Sequence, residues 1–570
     1  MCYSQPLFIT NHTENDAYIC LVTHTHPSSA KAKTFPIMEL TSTLPIVMAL
    51  VTILIVLVLS SVLSRRRQSK ALNLPPGPRG WPVLGSLGAL AGALPPHRAL
   101  AALAARHGPL MHLRLGSYHA VVASSADAAR LVLKTHDLAF ADRPRTAAGE
   151  HAAYGYLGIV HTPYGAYWRM ARRLCGTELF SQRRVDSYEY IRKQELRALV
   201  CGLLECRGRA VAVRQHLADA TLRNVLRMSV GEKWSGCYGS AEGEEFRRTL
   251  DEAFAVTGAV SNVGEWVPWL GWLDVQGCVR RMKQLSKVYD RFLERILDEH
   301  DEERRKVAMA TGAGHGEAAA ARDLVDVLLQ LAEAEGETVG KSSTEARLTR
   351  DGVKAFVQDI IAGGTESSAV TMEWAMSELL RRPDAAAAAT DELDRVVGRS
   401  RWVEESDLAR LPYIDAVVKE TMRLHPVGPL LVPHMAREDT LVAGYDVPAG
   451  ARVLVNVWAI ARDPASWPDR PDEFRPERFA GSAVDVRGQH FELLPFGAGR
   501  RICPAYGLAM KVIGAGLANL LQGFAWRLPE GVSPEDLSME ELVGLSTRRK
   551  VPLVAVPEPR LPAHLYTAMT

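Results

Sequence analysis

Cysteine is scarce and unpatterned in this chain: eight residues scattered over 570 form no disulfide framework, so the expected redox setting is cytosolic. An excess of charge of one sign is missing too. Basic residues number 67 against 65 acidic ones, for a formal net charge of +2, and no long Lys/Arg stripe with interleaved aromatics appears, so a nucleic-acid partner is not expected. The chain has no phosphate-cradling P-loop and no dinucleotide or flavin site. Its paired glycines, Gly363-Gly364, fall inside a helical pattern rather than after a strand. From about residue 75 onward no linker is long or polar enough to separate one core from another, and no internal repeat is found. One large domain is therefore expected, with 47% hydrophobic residues to fill it.

Leu44 to Leu63 is an uncharged run of roughly twenty residues, the length that crosses a bilayer's hydrocarbon core as a helix. Arg65, Arg66, Arg67 and Lys70 follow at once, which by the positive-inside rule keeps the domain behind them in the cytosol. A cleaved signal peptide fits worse, because the run is too long and no small-residue cleavage site follows. A buried core helix is the plainer alternative. The residues before Met38 are polar and aperiodic, and Met38 itself, just ahead of the run, is a second candidate start. Prolines at 75, 76, 78 and 82 stiffen the chain after the basic cluster. The expected organisation is a polar extension over 1–43, a transmembrane anchor over 44–63, a basic and proline-rich hinge over 64–82, and a single globular domain over 83–570. Gly312 to Ala321 reads as a mobile surface connection within it.

One cysteine stands in a distinctive setting. Phe496-Gly497-Ala498-Gly499-Arg500-Arg501-Ile502-Cys503-Pro504 places Cys503 in a glycine-bent loop ahead of an apolar helical stretch. A lone cysteine is by default a small buried hydrophobe, and Cys175, Cys201 and Cys278 are read that way. At Cys503, Gly497 and Gly499 let successive N–H groups turn towards the sulfur, and Pro504 suits a first helical position, making Cys503 the N-cap. Orphan donors and the helix dipole would there lower the thiol pKa and favour a metal-binding thiolate.

Elsewhere, Val353, Phe356, Val357, Ile360 and Ile361 recur with the period of a helix that buries one face, and the pattern resumes at Val370, Trp374 and Leu379. Between them, Ala362-Gly363-Gly364-Thr365-Glu366-Ser367-Ser368 contains two glycines that cost about 1 kcal/mol each relative to alanine. Such a weakness suits the close approach of a flat ligand and a local opening of the hydrogen-bond ladder that admits water, with Glu366 and Ser367 supplying an acid and a hydroxyl. Glu420 and Arg423, three apart, share a helix face. The same spacing at Glu189/Arg192, Glu244/Arg247 and Glu302/Arg305 reads as exposed ion pairs. Trp168 and Arg172, four apart, put an indole donor and a guanidinium on one face.

The spacing Phe-x-x-Gly-x-Arg-x-Cys resembles the heme-binding loop of the cytochrome P450 monooxygenases. Five further segments follow the family's order: the Pro75–Pro82 hinge, Trp168-x-x-x-Arg172, the helix around Gly364, Glu420-x-x-Arg423 and Pro476-Glu477-Arg478-Phe479. The wording of 362–368 and 494–501 is similar to that of plant microsomal members of the A-type clan that includes flavonoid 3'-hydroxylases. The resemblance implies a mainly α fold with a small β region, the cytochrome P450 fold, preceded by one transmembrane helix. It assigns Cys503 as proximal ligand of the iron of heme b, iron protoporphyrin IX, with Phe496 beside the sulfur and Gly364 over the ring. Trp168, Arg172 and Arg501 would meet the propionates, Arg500 would face solvent, and His434 would either share the propionate role or be a satisfied core histidine. Glu366 would join the proton supply and Ser367 would steady dioxygen and its water, with Thr365 as the nearest competitor. Arg478 would complete a buried structural triad with Glu420 and Arg423. Two positions depart from the family's pattern. Ala505 stands where glycine is usual, and Ser367 replaces threonine, keeping the hydroxyl but losing the methyl that restrains it.

Carried further, the resemblance implies a single-pass protein of the endoplasmic reticulum membrane that takes electrons from NADPH through NADPH–cytochrome P450 reductase, with cytochrome b5 as a second donor. Arg169 and Arg173 would belong to the basic face on which the donor docks. The substrate would be a small lipophilic plant metabolite: the expected pocket walls, after Pro144 and at 357–364, 427–432 and 544–547, are largely apolar and suit a terpenoid, steroid, fatty acid or phenolic equally. The alternatives are a heme-thiolate isomerase or dehydratase, a C–C cleaving member of the family, or a non-enzymatic heme sensor. Retention of Glu366-Ser367 argues against an isomerase and a sensor, neither of which needs a proton relay.

Overall fold

The computed structural model describes residues 72–235, 241–257, 262–311, 323–338 and 346–567, together with Met48, Ala49, Thr52 and Val56. Its principal helices are α1 (Pro96–His107), α2 (Ala166–Leu174), α3 (Glu189–Glu205), α4 (Val213–Val230), α5 (Ala241–Thr257), α6 (Cys278–Thr311), α7 (Leu324–Thr338), α8 (Arg350–Arg381), α9 (Pro383–Val396), α10 (Pro412–Leu424) and α11 (Tyr506–Gly523). The strands used below are β1 (Leu110–Leu115), β2 (Tyr118–Ala123), β3 (Val211–Ala212), β4 (His434–Met435), β5 (Arg452–Val455), β6 (Phe524–Arg527), β7 (Glu541–Val543), β8 (Thr547–Arg549) and β9 (Val554–Pro559). The mainly helical expectation and its small β region agree with this architecture.

Helix α8 is the axis of the fold. Thr349 caps it by accepting from the Gly352 N–H at 3.1 Å, and Asp351 and Arg381 complement the dipole at its two ends. Its N-terminal half buries Val353, Phe356, Val357 and Ile361 against α4 and Leu293, Ile296 and Leu297 of α6. Its C-terminal half buries Met372, Met376 and Leu379 against Leu393 of α9, Val417 and Val418 of α10, and Ile513 and Leu517 of α11. Trp374, fully buried, stacks on His425 with ring centroids 4.0 Å apart. A helix enclosed along its length can carry weak helix formers, because tertiary packing supplies its stability.

The expected opening in α8 does not occur. The helix is continuous through Ala362–Ser368. The hydroxyls of Thr365, Ser367 and Thr371 donate back to the carbonyls of Ile361, Gly363 and Ser367 at 2.6, 2.7 and 2.9 Å, and α4 lies against this stretch.

A sheet of order β1-β2-β5-β4 forms one edge of the molecule, with β2 and β5 parallel and the outer pairs antiparallel. Residues of the expected hinge belong to this region. Asn73 donates from N to Asp446 Oδ2 and from Nδ2 to Gly444 O, both at 2.8 Å, and Pro76 O accepts from the His112 N–H of β1 at 2.9 Å. A Cβ on Gly77 would lie 1.8 Å from His112 O, so only glycine permits this approach. The compact unit therefore begins at Asn73, ahead of the expected residue 83. The extension over 1–43, the remainder of the hinge and the 312–321 connection lie outside the described residues, as does the anchor over 44–63 apart from the four positions named above. Among the described residues no helix is long and apolar enough to cross a membrane.

Candidate functional site

The loop ahead of α11 takes the bend its glycines suggest. Gly497 and Gly499 sit at φ +71° and +67°, and a Cβ on Gly499 would fall 2.1 Å from Leu133 O. The loop closes where Cys503 N donates to Phe496 O at 2.9 Å. One local expectation is corrected: Cys503 is not the N-cap. A 3-10 turn over Gly499–Arg501 is followed by extended backbone at Ile502, so α11 starts at Tyr506 with Ala505 as its cap residue. Ala505 adopts φ −101°, which costs alanine nothing, so the missing glycine introduces no backbone strain. Nor does the helix N-terminus by itself lower the thiol pKa as expected. Burial pushes the Cys503 thiol up, and the Ala505 N–H and the Arg172 guanidinium oppose that without outweighing it. A bound cation would be needed to take the proton off.

Cationic and donor groups gather around this sulfur. Arg172 on α2 donates to Ile502 O at 2.7 Å. Arg501 donates to Ala141 O at 2.8 Å and Thr162 O at 2.6 Å, and lies 4.6 Å over the ring of Trp168. Trp168 is buried, and its Nε1–H has no acceptor among the described residues. Arg143 is a member that sequence reasoning missed, although Phe140–Pro144 was singled out as the lead-in to a pocket wall. It is buried and donates to Val432 O at 2.7 Å and Pro433 O at 2.8 Å, and burial, with Arg501 second, depresses its pKa. Each of these guanidinium groups gives donors to main-chain carbonyls, which orient it, and the indole donor is left over. A flat group carrying two carboxylates above the thiol fits such a set.

His434, in β4, reads differently. Its Nδ1 lies 2.8 Å from Phe140 O and must donate there, which leaves Nε2 of the neutral ring as an acceptor. Burial, with Arg143 second, drives its pKa down to about 3. That geometry favours the satisfied core histidine of the two alternatives. Arg500 is exposed and pairs with Asp137 at 3.2 Å.

On α8 the two glycines have separate environments. A Cβ on Gly364 would sit 2.8 Å from Val225 Cγ2 of α4, whereas nothing among the described residues lies within 4 Å of the same position on Gly363. The glycine facing open space is thus one residue earlier than expected. Thr365 and Ser367 both donate back to their own helix, to Ile361 O and Gly363 O, but Thr365 is buried whereas the Ser367 hydroxyl lies on the open side. Glu366 Oε1 accepts from Arg548 Nη1 at 3.1 Å. Burial raises its pKa, while Ser546 and Arg548 counteract that.

Glu420, Arg423 and Arg478 meet in a buried bridge. Arg423 grips Glu420 with two bonds of 2.7 and 2.9 Å, and Arg478 Nε reaches the same carboxylate at 2.9 Å. The Arg475 N–H adds a fourth donor at 2.8 Å, and the spare guanidinium protons go to the carbonyls of Ala461, Pro471 and Glu473. Two of the look-alikes find other partners: Arg192 pairs with Glu405, and Glu302 with Lys306. Arg192 is buried, so the exposed pair expected there is not what forms.

Comparison with known proteins gives this constellation a lineage. The family model described as Cytochrome P450 matches residues 75–554. The chain belongs to the cytochrome P450 family. It is 79% identical over 515 residues to a trimethyltridecatetraene synthase of Zea mays, covering 89% of this chain and 92% of that one. It is 74% identical to a dimethylnonatriene synthase of the same plant, over 93% of this chain and 100% of that one. A flavonoid 3'-monooxygenase of Arabidopsis thaliana is 41% identical over 88% of this chain and 94% of its own length. Among solved structures, a zebrafish cytochrome P450 with abiraterone superposes with TM-score 0.67 at 28% identity, over 82% of this chain and 99% of that one. The protein is a P450 monooxygenase, and the cofactor its family implies is heme with a cysteine thiolate on the iron.

Proposed function

We propose that this monooxygenase acts on an acyclic, methyl-branched terpenoid and that its reaction ends in cleavage of a carbon–carbon bond. The observation that carries the reading is the 79% and 74% identity to two enzymes named for making trimethyltridecatetraene and dimethylnonatriene, against 41% to a flavonoid hydroxylase. Both names denote branched polyenes without oxygen. Neither skeleton holds a whole number of five-carbon units, so making it from a terpenoid requires breaking a carbon–carbon bond, with the oxygen leaving on the other fragment.

In this reading Cys503 Sγ holds the iron, and Trp168, Arg172 and Arg501, with Arg143 behind them, bind the propionates. When bound, heme supplies the activation of dioxygen that the side chains themselves cannot perform. Ser367 presents its hydroxyl at the open face beside Gly363, and Glu366 holds a proton one residue away, where burial keeps its carboxyl easier to protonate than an exposed one. The triad of Glu420, Arg423 and Arg478 acts structurally, by fixing the chain that leads to Cys503. Electrons come from NADPH through the reductase, with cytochrome b5 as an accessory donor, and the 44–63 run tethers the enzyme to the endoplasmic reticulum with its domain in the cytosol.

Expression in microsomes with reductase, followed by a panel of acyclic terpenoid alcohols, a flavonoid, a steroid and a fatty acid, tests the proposal. A volatile branched polyene shorter than its terpenoid precursor, formed only with NADPH, is the expected product. Faster hydroxylation of the flavonoid, or turnover without NADPH, would overturn it.

A further inference from the structure

Arg548 is the middle residue of β8, and its guanidinium reaches across to a carboxylate on α8. Nη1 donates to Glu366 Oε1 of α8 at 3.1 Å. On α5, the Asp251 carboxyl is raised by burial and lowered by Arg247 and Arg548, with Asp219 opposing them. Asp251 in turn raises Glu366, while Ser546, on the same hairpin, lowers it. The backbone that carries Arg548 is tied down independently of these charges. Thr547 N donates to Val427 O at 2.8 Å, Trp374 Nε1 donates to Thr547 O at 3.3 Å, and Arg548 pairs with Leu542 of β7. The end of β7 is clamped where Glu541 meets His97 at 3.1 Å and Arg98 at 3.0 Å. With the backbones of α8 and the β7–β8 hairpin both fixed, side-chain rotation is the freedom left to the guanidinium.

We infer that Arg548 is a positioning residue for Glu366: its guanidinium, held on the fixed β7–β8 hairpin, orients that carboxylate beside Ser367 on α8. This rests on the reading of Glu366 as a member of the proton supply.

The test compares Arg548→Met, Arg548→Lys and Asp251→Asn with the unaltered holoenzyme in reductase-containing microsomes, using farnesol as an acyclic terpenoid probe. Peroxide released per NADPH consumed is followed across pH. Arg548→Met should raise that ratio several-fold and move its pH profile upward, since a cation that lowers the Glu366 pKa is gone. Arg548→Lys should restore some of the effect. Asp251→Asn, which removes a carboxylate that raises Glu366 from a distance, should move the profile downward by less than Arg548→Met moves it upward. A readout independent of turnover is a thermal-melting cycle of Arg548→Met, Glu366→Gln and the double variant in the purified holoenzyme, where the shifts should be non-additive. Additive melting shifts, or an Arg548→Met profile identical to that of the parent, would overturn the inference. If no terpenoid were turned over but the melting cycle were non-additive, the contact would stand and the substrate reading would fall.

Discussion

The two sides of the proposed heme site are built by different means. Beneath the sulfur, the fold is held by a fully buried carboxylate gripped by two guanidinium groups and an N–H, and by glycines whose φ values other residues rarely adopt. Above it, α8 offers single hydroxyls bonded back to their own helix, one glycine facing open space, and a carboxylate shared with a neighbouring hairpin. The lower side is over-determined and the upper side adjustable, as a centre needs if it must hold its metal rigidly while substrate and protons come and go.

The sharpest way to break this contrast is through the triad. Glu420→Ala leaves Arg423, which has no exposed surface, as an uncompensated buried charge, a loss of about 3–5 kcal/mol. Expression should yield protein with little bound heme, read as a weak reduced carbon-monoxide spectrum. Cys503→Ala should abolish that spectrum while leaving a folded chain by circular dichroism, which separates loss of the ligand from loss of the scaffold.

Glycine substitutions sharpen the comparison next. Gly499→Ala meets Leu133 O at 2.1 Å in a left-handed backbone, and the strain alone is of order 1–3 kcal/mol. Gly364→Ala pushes on a side-chain methyl of Val225 at 2.8 Å, which can give by rotating, so its melting temperature should fall less than that of Gly499→Ala. Gly363→Ala has open space and a helix-propensity gain of about 1 kcal/mol, so melting of the heme-free chain should rise or hold while heme uptake falls.

Much of the lower side was legible because its chemistry is local. The bend at Gly497 and Gly499 follows from two residues without Cβ atoms, and the order of Glu420, Arg423 and Arg478 along the chain anticipated a bridge that the fold closes. What could not be read depends on tertiary partners. Only the packing of α4 on α8 decides that Gly364 is occupied by Val225 and Gly363 is open. Arg143 carries no spacing signal, because its role arises from burial next to Arg501. Arg192 had a carboxylate three residues back in sequence and found Glu405 instead, since the fold brings a second chain segment closer than the helix surface does. The start of α11 was misjudged by a rule of local geometry: Pro504 suits a helix start, but the 3-10 turn before it sets where the helix begins.

The smallest effect concerns pH and lies on the upper side. Asp359 of α8 accepts from Val160 N at 3.1 Å, and Gly158 lets the chain come so near that a Cβ there would be 2.3 Å from Asp359 Oδ2. Burial lifts this carboxyl from 3.8 to about 6, with the N–H groups of Val160 and Ile159 opposing the shift. Where Glu420 is gripped by guanidinium groups, Asp359 is met by backbone N–H groups. A carboxyl raised in the folded state binds more protons folded than unfolded, so its contribution to stability is greatest below pH 3.8, declines as pH rises to about 6, and stays low beyond. Asp359→Asn removes the charge and keeps an oxygen able to accept from Val160. The variant should melt slightly higher than the parent above pH 6 and show a flatter dependence of melting temperature between pH 4 and 6.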